Sequence, residues 1–322
     1  MKTLHKLLGL TIATLTLISC AKDDSLPVEE VTLSVPTALE FNSLRSDAWN
    51  SHIQTIQFNA EDGISFTSAK GVKLNIWPGC LENNGNPATG STTLEYVELF
   101  EKGDMLTTNK ATMGLMPDNK RALLKSGGEF YINAKQNGVA LELSCTMTIE
   151  VPAQLTGGPD PAMTLWDGSV AANGDIVWEE NTEPNTGVFI ENNNYFGQLS
   201  EFGFKNVDVF ASDPRPKTKL KGKVPQGYNY ENSAMYLSFN GIASGLAQLD
   251  TFDVASNSFS EHYGQIPIGQ ELSVIFATEE DGMWKYAIKS VTVQENDVYE
   301  FTIEETTTGT RADFIAAINA LP

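Results

Sequence analysis

Histidine and cysteine are scarce in this chain, three of each in 322 residues, and the scarcity excludes much chemistry. Apart from His5 the histidines are His52 and His262, with no His-Glu-x-x-His pair, so a zinc centre of ordinary ligand spacing is not expected. No Gly-x-Ser-x-Gly stretch supplies a hydrolase elbow. Residues Gly85 to Thr92 have the glycine spacing of a phosphate loop, but Ser91 stands where the lysine would have to be. The ordered oxygen-ligand loop of an EF-hand is missing as well. Cations are also few, 21 Lys and Arg against 41 Asp and Glu, a formal charge of −20. Nucleic acid and anionic lipid surfaces both need clustered positive charge, so neither is an expected partner. Acidic clusters do occur, at Glu179-Glu180, Glu279-Glu280-Asp281 and Glu304-Glu305. They fall at strand ends or loops and read as solvated edges, so no catalytic residue, metal or cofactor is assigned.

What is present begins with the leader. Lys2 and Lys6 precede an apolar stretch from Leu7 to Ile18, shorter than the ~20 residues that span a bilayer. This is the charged and apolar layout of a secretory signal over residues 1–19. It closes on Leu17-Ile18-Ser19-Cys20, which resembles the lipobox of bacterial lipoproteins. The resemblance implies a lipidated, palmitate-bearing Cys20 as the mature first residue, and several acyl chains hold far more firmly than one. Lys22-Asp23-Asp24 behind it resembles the surface-export signal of Bacteroidota lipoproteins, and Asp24-Ser25-Leu26 that phylum's O-glycosylation acceptor at Ser25. Residues 20–30 then form an acidic tether, expected to keep the body near the membrane on the exterior face of the outer membrane.

Beyond the tether, short alternating apolar runs are separated by turn chemistry such as Asp62-Gly63, Asn84-Gly85 and Asn137-Gly138. This pattern predicts an all-β chain of two sandwich-like domains in tandem with one short C-terminal amphipathic helix. The first covers 31–156, with strands at Val31–Val35, Thr55–Asn59, Ile64–Thr67, Val72–Trp77, Thr92–Lys102, Glu129–Lys135, Val139–Leu143 and Thr146–Val151. Residues 37–52 resist assignment. A hairpin, a long exposed loop (179–194) and a connection fill 157–216, and the second domain occupies 217–322. Its terminal helix follows Thr310-Arg311-Ala312-Asp313, which has the spacing of a capping box, with Phe314, Ile315, Ile318 and Leu321 on one face.

Within the first domain, Gly71-Val72-Lys73-Leu74-Asn75-Ile76-Trp77-Pro78-Gly79-Cys80-Leu81 resembles the hairpin of the β-sandwich domain shared by zonula-occludens, netrin-receptor and ankyrin proteins. Trp77 stands for that motif's first proline and Cys80 for its alanine. Together with the stretches Glu98 to Met105 and Ser126 to Ala134, it is similar to an uncharacterised group of Bacteroidota surface lipoproteins. That resemblance covers most of the chain after the leader and implies an extracellular, non-catalytic sandwich.

Three further features carry weight. Cys80 and Cys145 leave two readings open in an exported protein, a disulfide or a pair of buried free thiols. Arg215, Lys217, Lys219, Lys221 and Lys223 alternate and so share one strand face. That face reads as edge-strand protection in preference to an interface for an acidic partner or lipopolysaccharide phosphates. Trp166 and Trp178 read as packing residues in preference to sugar platforms. The functional expectation is a surface-exposed outer-membrane lipoprotein, a non-catalytic binding or structural module with an outer-membrane protein or glycan as partner. Two alternatives are a fimbrillin-type pilus subunit, cut after Arg45 in Leu44-Arg45-Ser46, and a polysaccharide-binding or carbohydrate-active lipoprotein.

Overall fold

The computed structural model describes residues 35–171 and 174–322. The leader, Cys20, Lys22, Asp23, Asp24, Ser25 and most of the Val31–Val35 strand lie outside them. Residues Val35–Pro322 form one unit, mostly β, with three short helices: α1 (Ala38–His52), α2 (Lys102–Thr107) and α3 (Arg311–Asn319).

The larger sandwich pairs two sheets. One runs in the order Gln54–Asn59, Ser91–Leu99, Arg121–Gln136, Gly203–Phe210, Thr164–Val170, Ile176–Glu180 and Met113–Leu115. Because Met113–Leu115 also pairs with Arg121–Gln136, five of these strands close into a ring. The ring encloses Leu124, Trp166, Ile176 and Trp178. The other sheet is Gly187–Glu191, Asn194–Leu199, Met147–Pro152, Lys73–Ile76 and Ile64–Thr67. Leu74, Tyr96, Ile132, Ile149 and Val151 fill the space between them. Segment 157–216 therefore supplies strands to both sheets.

The smaller sandwich pairs a four-stranded sheet, Thr251–Asp253, Ser258–Pro267, Lys217–Lys223 and Val298–Glu300, with a five-stranded one. The latter is Leu246–Gln248, Ser233–Phe239, Glu271–Glu280, Met283–Thr292 and Thr307–Gly309. Leu220, Met235, Phe259 and Phe276 form its core. A third apolar cluster joins the helices to strands of both sandwiches: Phe41, Met105, Leu106, Phe314 and Ile318 pack with Leu99, Tyr236, Ile275 and Trp284.

Several sequence expectations change, each for a local reason. Residues 37–52, left unassigned, form α1, started by a reciprocal Thr37–Glu40 capping box. Only Phe41 and Ala48 are fully buried along it, which leaves too narrow an apolar stripe to betray a helix. The run read as a strand to Lys102 ends at Leu99 and turns into α2, where Thr107 and Thr108 hydroxyls donate back to Gly103 and Asp104 carbonyls. The strand expected from Glu129 instead begins at Arg121. Gly127 and Gly128 form a bulge opposite Asn206–Asp208. Gly128 has φ +135 with Phe100 pressed against it, and a Cβ on Gly127 would meet the Val207 carbonyl at 2.9 Å. The loop read over 179–194 contains the hairpin Gly187–Glu191 to Asn194–Leu199, closed by Asn192-Asn193 with φ 49 and 66. A two-residue turn needs positive φ at both positions, and asparagine tolerates it. The terminal helix keeps its expected place, with the Thr310–Asp313 box formed and Phe314 and Ile318 buried.

Candidate functional site

The site is built from α1 and the turn after α2. Asn42, Arg45, Ser46, Trp49 and Asn50 recur at helical spacing and so share one side of α1. With Thr108, Asn109 and Lys110 opposite, they line an open groove of about 490 Å³, a volume in the range of small-molecule sites. The other side of α1 is the apolar one, anchored by Phe41 and Ala48. Packing of that side against the strands is what turns the polar side toward the groove.

Arg45 is fixed in place: its Nη2 donates to Tyr236 Oη at 3.0 Å and its guanidinium lies 4.3 Å over the Phe41 ring. Its Nε is buried and has no acceptor. Lys110, only 8% exposed, donates to the Thr108 carbonyl at 3.2 Å and sits 5.2 and 5.5 Å from the Trp49 and Phe204 rings. Among the described residues neither cation makes a direct ion pair. Asn109 is held by Tyr236 Oη, 2.7 Å from its Oδ1, and donates to Asp175 Oδ1 at 3.1 Å.

Below the groove lies a buried acid. Strand Arg121–Gln136 is covered on both faces at the bulge: Phe130 turns into the sandwich core, so its neighbour Glu129 turns toward α1. Neither Glu129 oxygen accepts a hydrogen bond, and the space between Trp49, Tyr131, Phe204 and Glu129 is too small to admit water. Across the bulge, Ser126 Oγ donates to Asn206 Oδ1 at 2.9 Å and Asn206 Nδ2 to Asp208 Oδ2 at 2.7 Å. Burial pushes Glu129 well above the usual carboxylate range, with Asp208 adding to the rise and Lys110 opposing it. Burial likewise raises Asp208, against the Ser126 hydroxyl and the Gly127 N–H. Lys110 is pushed down to about 8, first by burial and then by Arg45, while Glu129 and Asp175 hold it up. The arrangement offers an accessible polar and cationic surface over a sealed acid pair. That geometry suits holding an anionic or polar group.

The sequence-assigned residues lie elsewhere. Cys80 and Cys145 are joined in a disulfide, Cα atoms 5.3 Å apart, away from the groove. Lys217, Lys219, Lys221 and Lys223 do share one exposed face, alternating with buried residues. The edge-strand reading is corrected, however: Lys217–Lys223 is an interior strand, antiparallel to Ser258–Pro267 and parallel to Val298–Glu300. Its second half, Lys221–Lys223, therefore has no free edge for lysines to guard. Lys223 pairs with Glu300 at 2.9 Å, Lys217 donates to Gln265 at 3.2 Å, and Arg215 forks onto Asp213. Trp166 and Trp178 are buried, their indole N–H groups given to the Asp208 and Ala111 carbonyls. In the acidic turn, Glu279 accepts from Gly282 N and Glu280 from Lys285 and Thr308. Among the described residues no group of three His, Cys, Asp or Glu is placed to hold a metal, and no helix is long and apolar enough to cross a membrane.

Trp49, Lys110, Glu129 and the binding role of Arg45 were not found by reading the sequence. Two local signals existed: Thr37-x-x-Glu40 announces a helix start, and Glu129 is an acid placed directly after a glycine pair in a strand. The chain matches no family model, no curated protein and no solved structure.

Proposed function

We propose that the chain is a surface-exposed outer-membrane lipoprotein, anchored through lipid on Cys20, whose β-sandwich body acts as a non-catalytic binding module of the cell envelope. The anchor rests on Leu17-Ile18-Ser19-Cys20 and Lys22-Asp23-Asp24. The observation that carries the binding role is the groove itself, in which exposed amide and hydroxyl groups of α1 converge with Arg45 and Lys110. Its carboxyl pair is sealed beneath aromatic rings, which favours recognition over general acid–base chemistry, where a carboxyl has to reach the substrate. The pilus alternative is less favoured. Its cut after Arg45 falls in the middle of α1, at a residue tied to Tyr236, whereas proteolysis favours exposed, irregular segments.

Two measurements test the proposal together. Protein with Cys20→Ala should leave the outer-membrane fraction, and wild-type protein should be removed by protease added to intact cells. A pull-down from native membranes should capture an envelope component that is lost with Ser46→Glu/Asn50→Asp, two exposed groove positions. Retention of the Cys20→Ala protein in the outer membrane would overturn the anchor. Capture unaffected by the groove variant would overturn the groove as the binding surface.

A further inference from the structure

We infer that the α1 groove binds an anionic saccharide, seating its acidic group between Arg45 and Lys110 and its ring against Trp49. This rests on the reading of the groove as the binding site and adds the ligand's chemistry.

Charge is the first argument. In a chain of formal charge −20, many of the described cations are spent on neighbouring acids, as Lys73, Lys125, Lys135, Arg121, Lys205 and Lys285 are. Arg45 and Lys110 instead meet in one groove with no carboxylate in direct contact, and a Nε–H of Arg45 goes unused. A cation that is nearly buried without a paired anion is costly. A ligand anion arriving between the two would relieve that cost, and charge-assisted hydrogen bonds to it are about twice as strong as neutral ones.

The rest of the lining argues for a sugar over a bare inorganic anion. A phosphate or carboxylate alone would occupy a fraction of 490 Å³. The remaining wall includes Asn42, Ser46 and Asn50, exposed groups that both donate and accept as hydroxyl-rich ligands require. Trp49 is partly exposed at the groove and braced from behind by Tyr131 and Phe204, with ring centroids at 5.6 and 5.4 Å. A braced aromatic beside amides and a cation presents one apolar face, one polar edge and one charge, the three features of an acidic pyranose.

The charge at Lys110 also gives the site a pH signature. The groups facing its ammonium are Arg45, Glu129 and Asp175, with the rings of Trp49 and Phe204. Since burial sets its pKa at about 8, the ammonium is charged at pH 7 and is lost by pH 9. A uronate or a phosphate monoester keeps its negative charge over that interval.

The experiment is calorimetric titration of the full-length protein in detergent with trigalacturonate, with glucose 6-phosphate and with neutral maltotriose. The expected result is binding of at least one anionic probe, about tenfold or more tighter than maltotriose. Affinity should fall several-fold from pH 7 to pH 9. Ser46→Glu/Asn50→Asp should weaken it about tenfold, with the melting temperature unchanged. Which anionic probe binds assigns the acidic group to carboxylate or to phosphate. Equal affinity for maltotriose, or binding indifferent to the double variant, overturns the inference. If no probe binds while the variant still abolishes capture in the membrane pull-down, the ligand class falls and the binding module stands. If neither responds, both fall.

Discussion

Each sandwich buries a glutamate beside an irregularity in a strand pair, and the two are treated oppositely. In the smaller sandwich, Glu261 is 1% exposed, where the register shifts between Thr218 and Leu220. Its carboxylate accepts from the backbone N–H groups of Tyr263, Gly264 and Gln265 at 3.1, 3.1 and 3.3 Å. Burial still outweighs those three bonds and raises it to about 7. In the larger sandwich, Glu129 is 2% exposed at the Gly127-Gly128 bulge and accepts nothing. Its nearest compensation is the charge of Lys110, itself half-committed to the groove. A glutamate that ties its own backbone together is part of the scaffold. One left without a hydrogen-bond partner beneath a cationic groove does not serve its own backbone, which is why the functional reading rests on the second and not the first.

The largest effect should come from removing that cation. Lys110→Ala takes a nearby positive charge from Glu129 and the packing from Trp49 and Phe204, and should destabilise by about 3 kcal/mol in urea unfolding. The double variant Lys110→Met/Glu129→Gln removes both charges and should return to within ~1 kcal/mol of wild type. If Lys110→Met alone is already as stable as the double variant, the loss in Lys110→Ala is packing alone and the electrostatic contrast with Glu261 breaks.

Next in size is Glu261→Ala, which strands three backbone N–H groups at a half-buried irregularity of strand Ser258–Pro267. A loss of about 2 kcal/mol is expected, with faster amide exchange confined to residues 262–265. Exchange spread evenly over the smaller sandwich would show that Glu261 does not organise this irregularity.

The pH dependence sharpens the comparison further. Glu129, Asp208 and Glu261 all have folded-state pKa values above their unfolded ones. The folded state therefore binds more protons, so their contribution is complete below about pH 4 and fades as pH rises toward and past 7. Stability should thus fall between pH 5 and pH 8, and Glu129→Gln should flatten part of that slope. An unchanged slope in Glu129→Gln would mean that Glu129 ionises as easily folded as unfolded.

The smallest effect is expected where the sequence is loudest. Replacing Lys217, Lys219, Lys221 and Lys223 together with Gln should change stability by less than about 1 kcal/mol, because exposed charges are solvent-screened. On the same strand Gly222→Ala should cost about 1–3 kcal/mol, since its Cβ would collide with the Met235 sulfur. The two measurements separate the solvated face of this strand from its buried one.

How much was legible follows from this contrast. Period-two alternation exposed the lysine face, but whether that strand lies at an edge or inside depends on Val298–Glu300, which pairs with it from about seventy-five residues further along. The two cysteines were visible as a pair of candidates; their bonding required Lys73–Ile76 and Met147–Pro152 to pair in one sheet and bring their ends together. The groove was not legible at all. Its residues come from positions 42–50 and 108–110, and the acid beneath from 129, none of which form a motif along the chain.

By itself, then, the sequence determined what depends on local order. Alternation and turn residues set the all-β class, the Thr310 capping box set the terminal helix, and a short apolar leader ending in Ser19-Cys20 set the expectation of export and anchoring. Only the tertiary structure decided which charges matter. A carboxylate or ammonium changes its chemistry through desolvation, and desolvation at Glu129 and Lys110 is imposed by Trp49, Tyr131 and Phe204, brought together from three distant stretches of chain.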